Sequence, residues 1–273
     1  MTVETSYNQI ANWTDQVLAN GRFSFPLFEL RNHFKTQSDN SIKLALNRLT
    51  EKGRLLSVFK GYYLIIPPQY AGRGVLPPNL FLDSLMAHLK RPYYLALLNA
   101  AAYHGAAHQQ PQEYFVISTF PVLRATERKG LKINYISIKT IPEGLINQLK
   151  TEAGYLNISN PSLTACDLIQ FERRIGGITR AATVISELSE IIKPSDFSAL
   201  LVRHVQTTTL QRLGYLLEMI CGRLDLAGAL FKAMKTESQN FFRIPLKVRS
   251  STKGFASDNQ WNVIVNTTID LDE

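Results

Sequence analysis

The stretch from Ser38 to Pro67, SDNSIKLALNRLTEKGRLLSVFKGYYLIIP, constrains the fold most, because a complete helix signature runs straight into a tight hairpin. Ile42, Ala45, Leu46 and Leu49 stand at i, i+3, i+4 and i+7, so four apolar side chains form one stripe that must face a core. Ser38 and Asp39 offer oxygens to the free N–H groups of the first turn, and Gly53 can take the left-handed conformation that ends the last one. Leu55 to Phe59 and Tyr62 to Ile66 are β-branched and aromatic runs joined by Lys60 and Gly61, a two-residue hairpin loop. Upstream, Pro26 can open a helix whose stripe is Leu27, Leu30 and Phe34, ahead of the polar turn Lys35 to Gln37. Residues 5–20 repeat the helical pattern with Ile10, Trp13 and Val17 and close at Gly21, and Phe23 to Phe25 has the length of a minor strand. These parts, in this order, predict an N-terminal winged helix-turn-helix.

Such a domain lays its second helix in the major groove and its hairpin near the backbone. Opposite the apolar stripe, amide and cationic side chains can reach base edges and phosphates. The candidate DNA-binding residues are therefore Asn40, Ser41, Lys43, Asn47, Arg48 and Lys52 on or beside the helix, and Lys60 at the hairpin tip. Leu44 and Glu51 share the outer face and count against it. The charge balance agrees with an anionic partner: 30 Lys and Arg stand against 22 Asp and Glu, and the excess of 8 is spread over the whole chain. Affinity of that origin falls steeply with salt.

The chain of 273 residues is long enough for two domains with substantial cores. PPQYAGRGVLPP, residues 67–78, places four prolines and two glycines in twelve positions and is the expected linker between a domain at 1–70 and another at 71–273. Beyond it, the pattern predicts helices from Leu80 to Leu89, capped by Asn79, and from Tyr93 to Tyr103. Strands are expected at Tyr114 to Ser118 and Ile133 to Ile138, with a basic connection, Arg124 to Lys132, between them. Helices follow from Leu163 to Phe171, Thr179 to Ile192, Pro194 to Val205, Thr208 to Met219 and Leu224 to Met234, with Gly176 and Gly177 as a corner and a last strand at Asn262 to Val265. The expected class is α+β: the winged domain followed by a mixed, helix-rich α/β domain.

Signatures of catalysis are sparse. There is no phosphate-cradling glycine loop followed by Lys and Ser or Thr, no HExxH and no GxSxG. His104 and His108 have the i, i+4 spacing of a shared metal, but Gly105 interrupts the helix and no third ligand is apparent. Glu127 and Lys129 match half of a metal-dependent nuclease motif without an upstream Asp on a strand. Cys166 and Cys221 are expected as reduced thiols. Asp167 and Glu172 are expected to pair with Arg173 and Arg174 at a helix end, and Trp261 to be buried. MTVETSYNQ has no basic and apolar leader, and no apolar run approaches a membrane span. A cytoplasmic protein without membrane association or cofactor is expected.

Four blocks resemble the AbiEi family, the antitoxins and autoregulators of type IV abortive-infection toxin–antitoxin systems. They are RPYYLALLNAAAYHGAAHQQPQ from Arg91, LTACDLIQFERRIGGITRAATVISEL from Leu163, LQRLGYLLE from Leu210 and WNVIVN from Trp261. The resemblance implies a winged helix that binds double-stranded operator DNA, with inverted repeats for two copies, in the promoter of its own operon. It also implies a C-terminal domain that opposes a nucleotidyltransferase-like toxin, with no stable complex required and no catalytic residue in this chain. Arg173, Arg174, Arg180, Arg212 and Asn262 are the antitoxin-domain candidates. The alternative is a nuclease or nucleotide-modifying enzyme targeted to DNA by the winged part, and a ligand-responsive regulator is a third possibility.

Overall fold

The structure, a computed structural model, describes residues 6–106, 111–257 and 259–271. The described residues form two compact units between which the chain passes repeatedly. One gathers Met1–Tyr93, Gln112–Ile141 and Gln148–Asn157, and the other Tyr94–Pro111, Pro142–Asn147 and Ile158–Glu273.

The first unit opens with α1 (Ser6–Ala19), β1 (Ser24–Pro26), α2 (Leu27–His33), α3 (Asp39–Glu51), β2 (Leu55–Phe59) and β3 (Tyr62–Ile65). The stripe of α3 is buried as patterned, against Ile10, Trp13 and Val17 of α1, Phe25 and Leu30. Trp13 meets Phe25 edge to face at 4.9 Å. Each boundary has its cause: Ser38 Oγ accepts from Ser41 N at 3.2 Å, and Gly21, Gly53 and Gly61 all sit at positive φ. β3 lies between β1 and β2, antiparallel to both, with a register shift between Ser57 and Phe59. The Tyr62 hydroxyl, buried, bonds Ser24 Oγ at 2.7 Å and donates to Ser84 Oγ at 2.8 Å.

The segment 67–78 does not separate the units. It lies within the first as short 3₁₀ turns, Pro68–Tyr70 and Pro78–Leu80, with Leu76 and Leu80 buried. The helix expected from Leu80 starts later, as α4 (Leu82–His88), because Pro77 and Pro78 hold the chain in the 3₁₀ turn and Asn79 caps nothing. The helix expected from Tyr93 divides into β4 (Tyr93–Leu95) and α5 (Leu97–Tyr103). Pro92 and two tyrosines favour extended backbone, and Leu97 turns the chain at φ 55°.

β5 (Glu113–Thr119) and β7 (Leu131–Ile138) run parallel in register from Glu113↔Lys132 to Thr119↔Ile138. The basic connection holds a further strand, β6 (Thr126–Arg128), antiparallel to β7. Sequence patterning missed β8 (Ile146–Thr151) and β9 (Gly154–Ser159), which are hydrogen-bonded neighbours. Leu95 of β4 pairs in parallel with Ile158 of β9.

The second unit is mainly helical: α5, α6 (Pro161–Gln170), α7 (Ile178–Leu188), α8 (Ala199–His204), α9 (Thr207–Met219) and α10 (Leu224–Thr236), with β10 (Ile244–Pro245) parallel to β11 (Val263–Ile264). Two expected helices are shorter: α7 stops at Leu188, and Pro194 opens a 3₁₀ turn ahead of α8. Asn160 caps α6 by accepting from Leu163 N at 2.9 Å, and Gly176 and Gly177 form the corner at φ 104° and 99°.

Trp261 is fully buried against α9, its ring meeting Phe231 edge to face at 5.5 Å and its Nε1 donating to Glu218. A Cβ on Gly214 would lie 2.2 Å from that ring. Gln211 Nε2 donates to the carbonyls of Trp261 and Phe242, and its Oε1 accepts from Phe242 N. Gly228 of α10 is exposed and has nothing within 4 Å of a would-be Cβ.

The two helix glycines therefore predict opposite outcomes in urea denaturation. Gly214→Ala is expected to lose about 1–3 kcal/mol by overpacking. Gly228→Ala is expected to gain about 0.5–1 kcal/mol from reduced backbone freedom in the unfolded chain.

Candidate functional site

In the first unit, Asn40, Lys43 and Asn47 project from one side of α3 into a groove of about 360 Å³ that it forms with α2. All three are exposed, as is Arg48 beside them. The far wall carries Leu27, Arg31 and Tyr63. Arg31, which sequence reasoning did not single out, pairs with Asp39 across the groove mouth at 3.1 Å, with both side chains at least half exposed. Only the i+8 offset between them hints at this in the sequence. Lys60 is exposed at the hairpin tip. Ser41 is half-buried at the helix start. Lys52 lies elsewhere, its Nζ 4.7 Å from the centroid of the Tyr7 ring. Leu44 is 58% exposed on the outer face.

Other chemistry considered from sequence takes a different shape. Glu127 is an exposed residue of β6 opposite Lys132, and Lys129 stands in the β6–β7 turn at φ 46° with its side chain over Gly74. His104 ends α5, and its Nε2 must donate to the Ser159 carbonyl, 2.7 Å away, so that nitrogen has no lone pair to offer a metal. His108 lies outside the described residues. Among the described residues no three His, Cys, Asp or Glu side chains converge as a metal site. Both cysteines are free. No helix among the described residues is long and apolar enough to cross a membrane.

In the second unit, Arg173, Arg174 and Arg212 come together around a recess of about 450 Å³, floored by Phe171 and Glu172 and flanked by Val248. Arg173 and Arg174 follow α6 in a single 3₁₀ turn and are exposed, whereas Arg212 comes from α9 and is only 7% exposed. The expected pairing of Asp167 and Glu172 with Arg173 and Arg174 is not what forms. Glu172 is buried and faces Arg212, Nη1 to Oε2 3.5 Å. Asp167 points inward and accepts from the Tyr94 hydroxyl at 3.1 Å. The 3₁₀ turn directs successive side chains to different sides, which a helical projection from α6 misplaces.

Burial raises the Glu172 carboxyl, against the pull of Arg212, Lys247 and Arg173, and lowers the Arg212 guanidinium, against the pull of Glu172. Burial thus disfavours the charged form of both partners, and their mutual attraction at 3.5 Å opposes it. Arg180 lies outside the recess, its side chain packed over Gly176. Asn262 is exposed at φ 54° in the turn before β11 and also lies outside it.

Residues 94–219 match the family of the AbiEi antitoxin C-terminal domain. Over this segment, somewhat under half of its length, the chain is similar to the AbiEi antitoxin C-terminal domain. The assignment supports an antitoxin role in a type IV toxin–antitoxin system. The chain is also similar in fold to the RV2827C protein from Mycobacterium tuberculosis, with a TM-score of 0.64 and 16% identity over 93% of this chain and 90% of that one. No curated protein matches the chain. The AbiEi segment runs from β4 to the end of α9, and so includes Glu172 and all three arginines of the recess but not Val248 or Trp261.

Within the matched segment, burial pushes the Asp167 carboxyl up to about 8, against the Tyr94 hydrogen bond, which favours the charged form. The folded protein thus holds a proton that the unfolded chain releases above the ordinary carboxylate range. That contribution to stability is full at low pH and declines as pH rises from about 4 to about 8. Asp167→Asn is expected to remove a slope of at most about 1.4 kcal/mol per pH unit. Urea midpoints of the two proteins measured from pH 5 to pH 8 check it.

Proposed function

We propose that the chain is a non-enzymatic, cytoplasmic autorepressor and antitoxin whose first 70 or so residues form a winged helix-turn-helix on double-stranded operator DNA. Its α3 enters the major groove, its β2–β3 hairpin follows the backbone, and two copies occupy inverted repeats in its own promoter. The AbiEi domain counteracts a nucleotidyltransferase-like toxin without a stable complex being required.

The observation that carries the DNA reading is the division of α3 into two faces. Ile42, Ala45, Leu46 and Leu49 are buried, which turns Asn40, Lys43, Asn47 and Arg48 outward together. Amides pair with adenine edges and cations with guanine or phosphate, so this face has the chemistry of both base readout and backbone positioning. Lys60 supplies the hairpin with a cation. Arg31 joins them once DNA phosphates compete for it with Asp39, since an exposed ion pair is worth little in water.

Fluorescence anisotropy of the protein on its upstream promoter and on scrambled DNA, across a salt series, tests this. A preference for the promoter that survives rising salt is expected. Arg48→Ala and Asn47→Ala are each expected to cost about 1–3 kcal/mol if they read bases, and Lys43→Ala to lower the salt slope by about one. Lys52→Ala should change little, because that ammonium already lies over Tyr7. Equal binding to both DNAs, collapsing together with salt, would leave only non-specific attraction.

A further inference from the structure

The recess in the AbiEi domain has no role in the DNA reading, and all its residues belong to the second unit. We propose that it binds the phosphate group of a small phosphorylated molecule.

Three observations lead there. The first is charge. Arg173, Arg174 and Arg212 line the recess, Lys247 acts on Glu172 from beside it, and Glu172 is the one carboxylate among them. Four cations against one anion leave a surplus that a phosphate dianion offsets better than a carboxylate does. The planar fork of arginine also matches phosphate oxygens two at a time.

The second is unspent bonding capacity. Arg212 is more than nine-tenths buried, yet its Nη1 has no hydrogen-bond partner, and neither has the facing Oε2 of Glu172. At 3.5 Å the pair attract without forming a hydrogen bond. Buried polar atoms are nearly always satisfied, so a donor and an acceptor left unpaired just behind the lining of one recess mark it as a place for a polar ligand. An oxygen of the phosphate takes the Arg212 donor. A hydroxyl, either of a protonated phosphate or of the carrier, donates a hydrogen bond to Glu172 Oε2.

The third is size. About 450 Å³ admits more than a bare ion, and the volume is that of an ordinary small-molecule site. Phe171 provides an apolar wall beside the charges.

Isothermal titration calorimetry of the full chain with inorganic phosphate, ribose 5-phosphate and AMP at constant ionic strength tests the proposal, with chloride as control. Saturable binding of at least one is expected, and the ranking of the three tells a free phosphate from a sugar phosphate or a nucleotide. Arg173 and Arg174 are exposed, so the double variant R173A/R174A should keep the fold, verified by an unchanged thermal midpoint, and weaken binding at least tenfold. The variant K43A/R48A, altered on the cationic face of the first unit, should bind as the unmodified protein does. No saturable binding by any of the three probes overturns the proposal. So does binding that R173A/R174A leaves unchanged, or binding that K43A/R48A abolishes.

Discussion

The seating of Trp261 against α9 is the contact on which the second unit depends. It requires a residue without a side chain at position 214, since any Cβ there would occupy the space of the indole ring. With the ring in place, Gln211 can bond the carbonyls of both Trp261 and Phe242, and so ties the stretch after α10 to the helix at two separate points. Asn266 extends the same device. Its amide accepts from Lys247 N and donates to the Lys247 carbonyl, which fixes the backbone immediately before Val248 at the arginine recess. One missing methyl group on α9 thus sets where the edge of the recess falls, while the next helical residue after Gln211, Arg212, supplies its buried cation.

Charge burial in the AbiEi domain follows two different solutions. Asp167 escapes the cost of desolvation by keeping its proton, and its partner is a hydroxyl, so the core around α6 holds a polar group with little net charge. Glu172 and Arg212 are instead a buried ion pair whose facing atoms, Oε2 and Nη1, lie 3.5 Å apart with no hydrogen-bond partner. A fold maintained only for stability gains nothing from the second arrangement, since apolar residues of the same volume would serve as well. Its position at the wall of an open recess, not deep in the core, gives the arrangement a use.

What the sequence made legible was local. The stripe of α3, the cap at Ser38, the glycine stop at Gly53 and the Lys60–Gly61 hairpin each depend on residues within a dozen positions of one another, and all were formed as patterned. The failures were those that depend on distant partners. Tyr93 to Leu95 has an apolar run that suits either a helix or a buried strand, and its strand character comes from pairing with Ile158 more than sixty residues away. β8 is polar and largely exposed, and in β9 the alternation is confined to Leu156–Ser159, too short a run to mark a strand. Arg173, Arg174 and Arg212 were all candidates. Their convergence was not readable, because Arg212 arrives from α9 and the counter-charge expected for the first two turns away to meet it.

The two cationic surfaces differ in a way that bears on how each can be used. Lys43, Arg48 and Lys60 are exposed, so their attraction for any anion is felt through water and counter-ions. Such a surface finds a polyanion quickly and releases it readily, and specificity must come from amides such as Asn40 and Asn47 in direct contact. Arg212 is largely removed from solvent, where screening is weak and geometry decides. A surface of the first kind suits a long duplex sampled at many positions. A recess of the second kind, whose buried donor is held in place, can discriminate a single small anion by geometry.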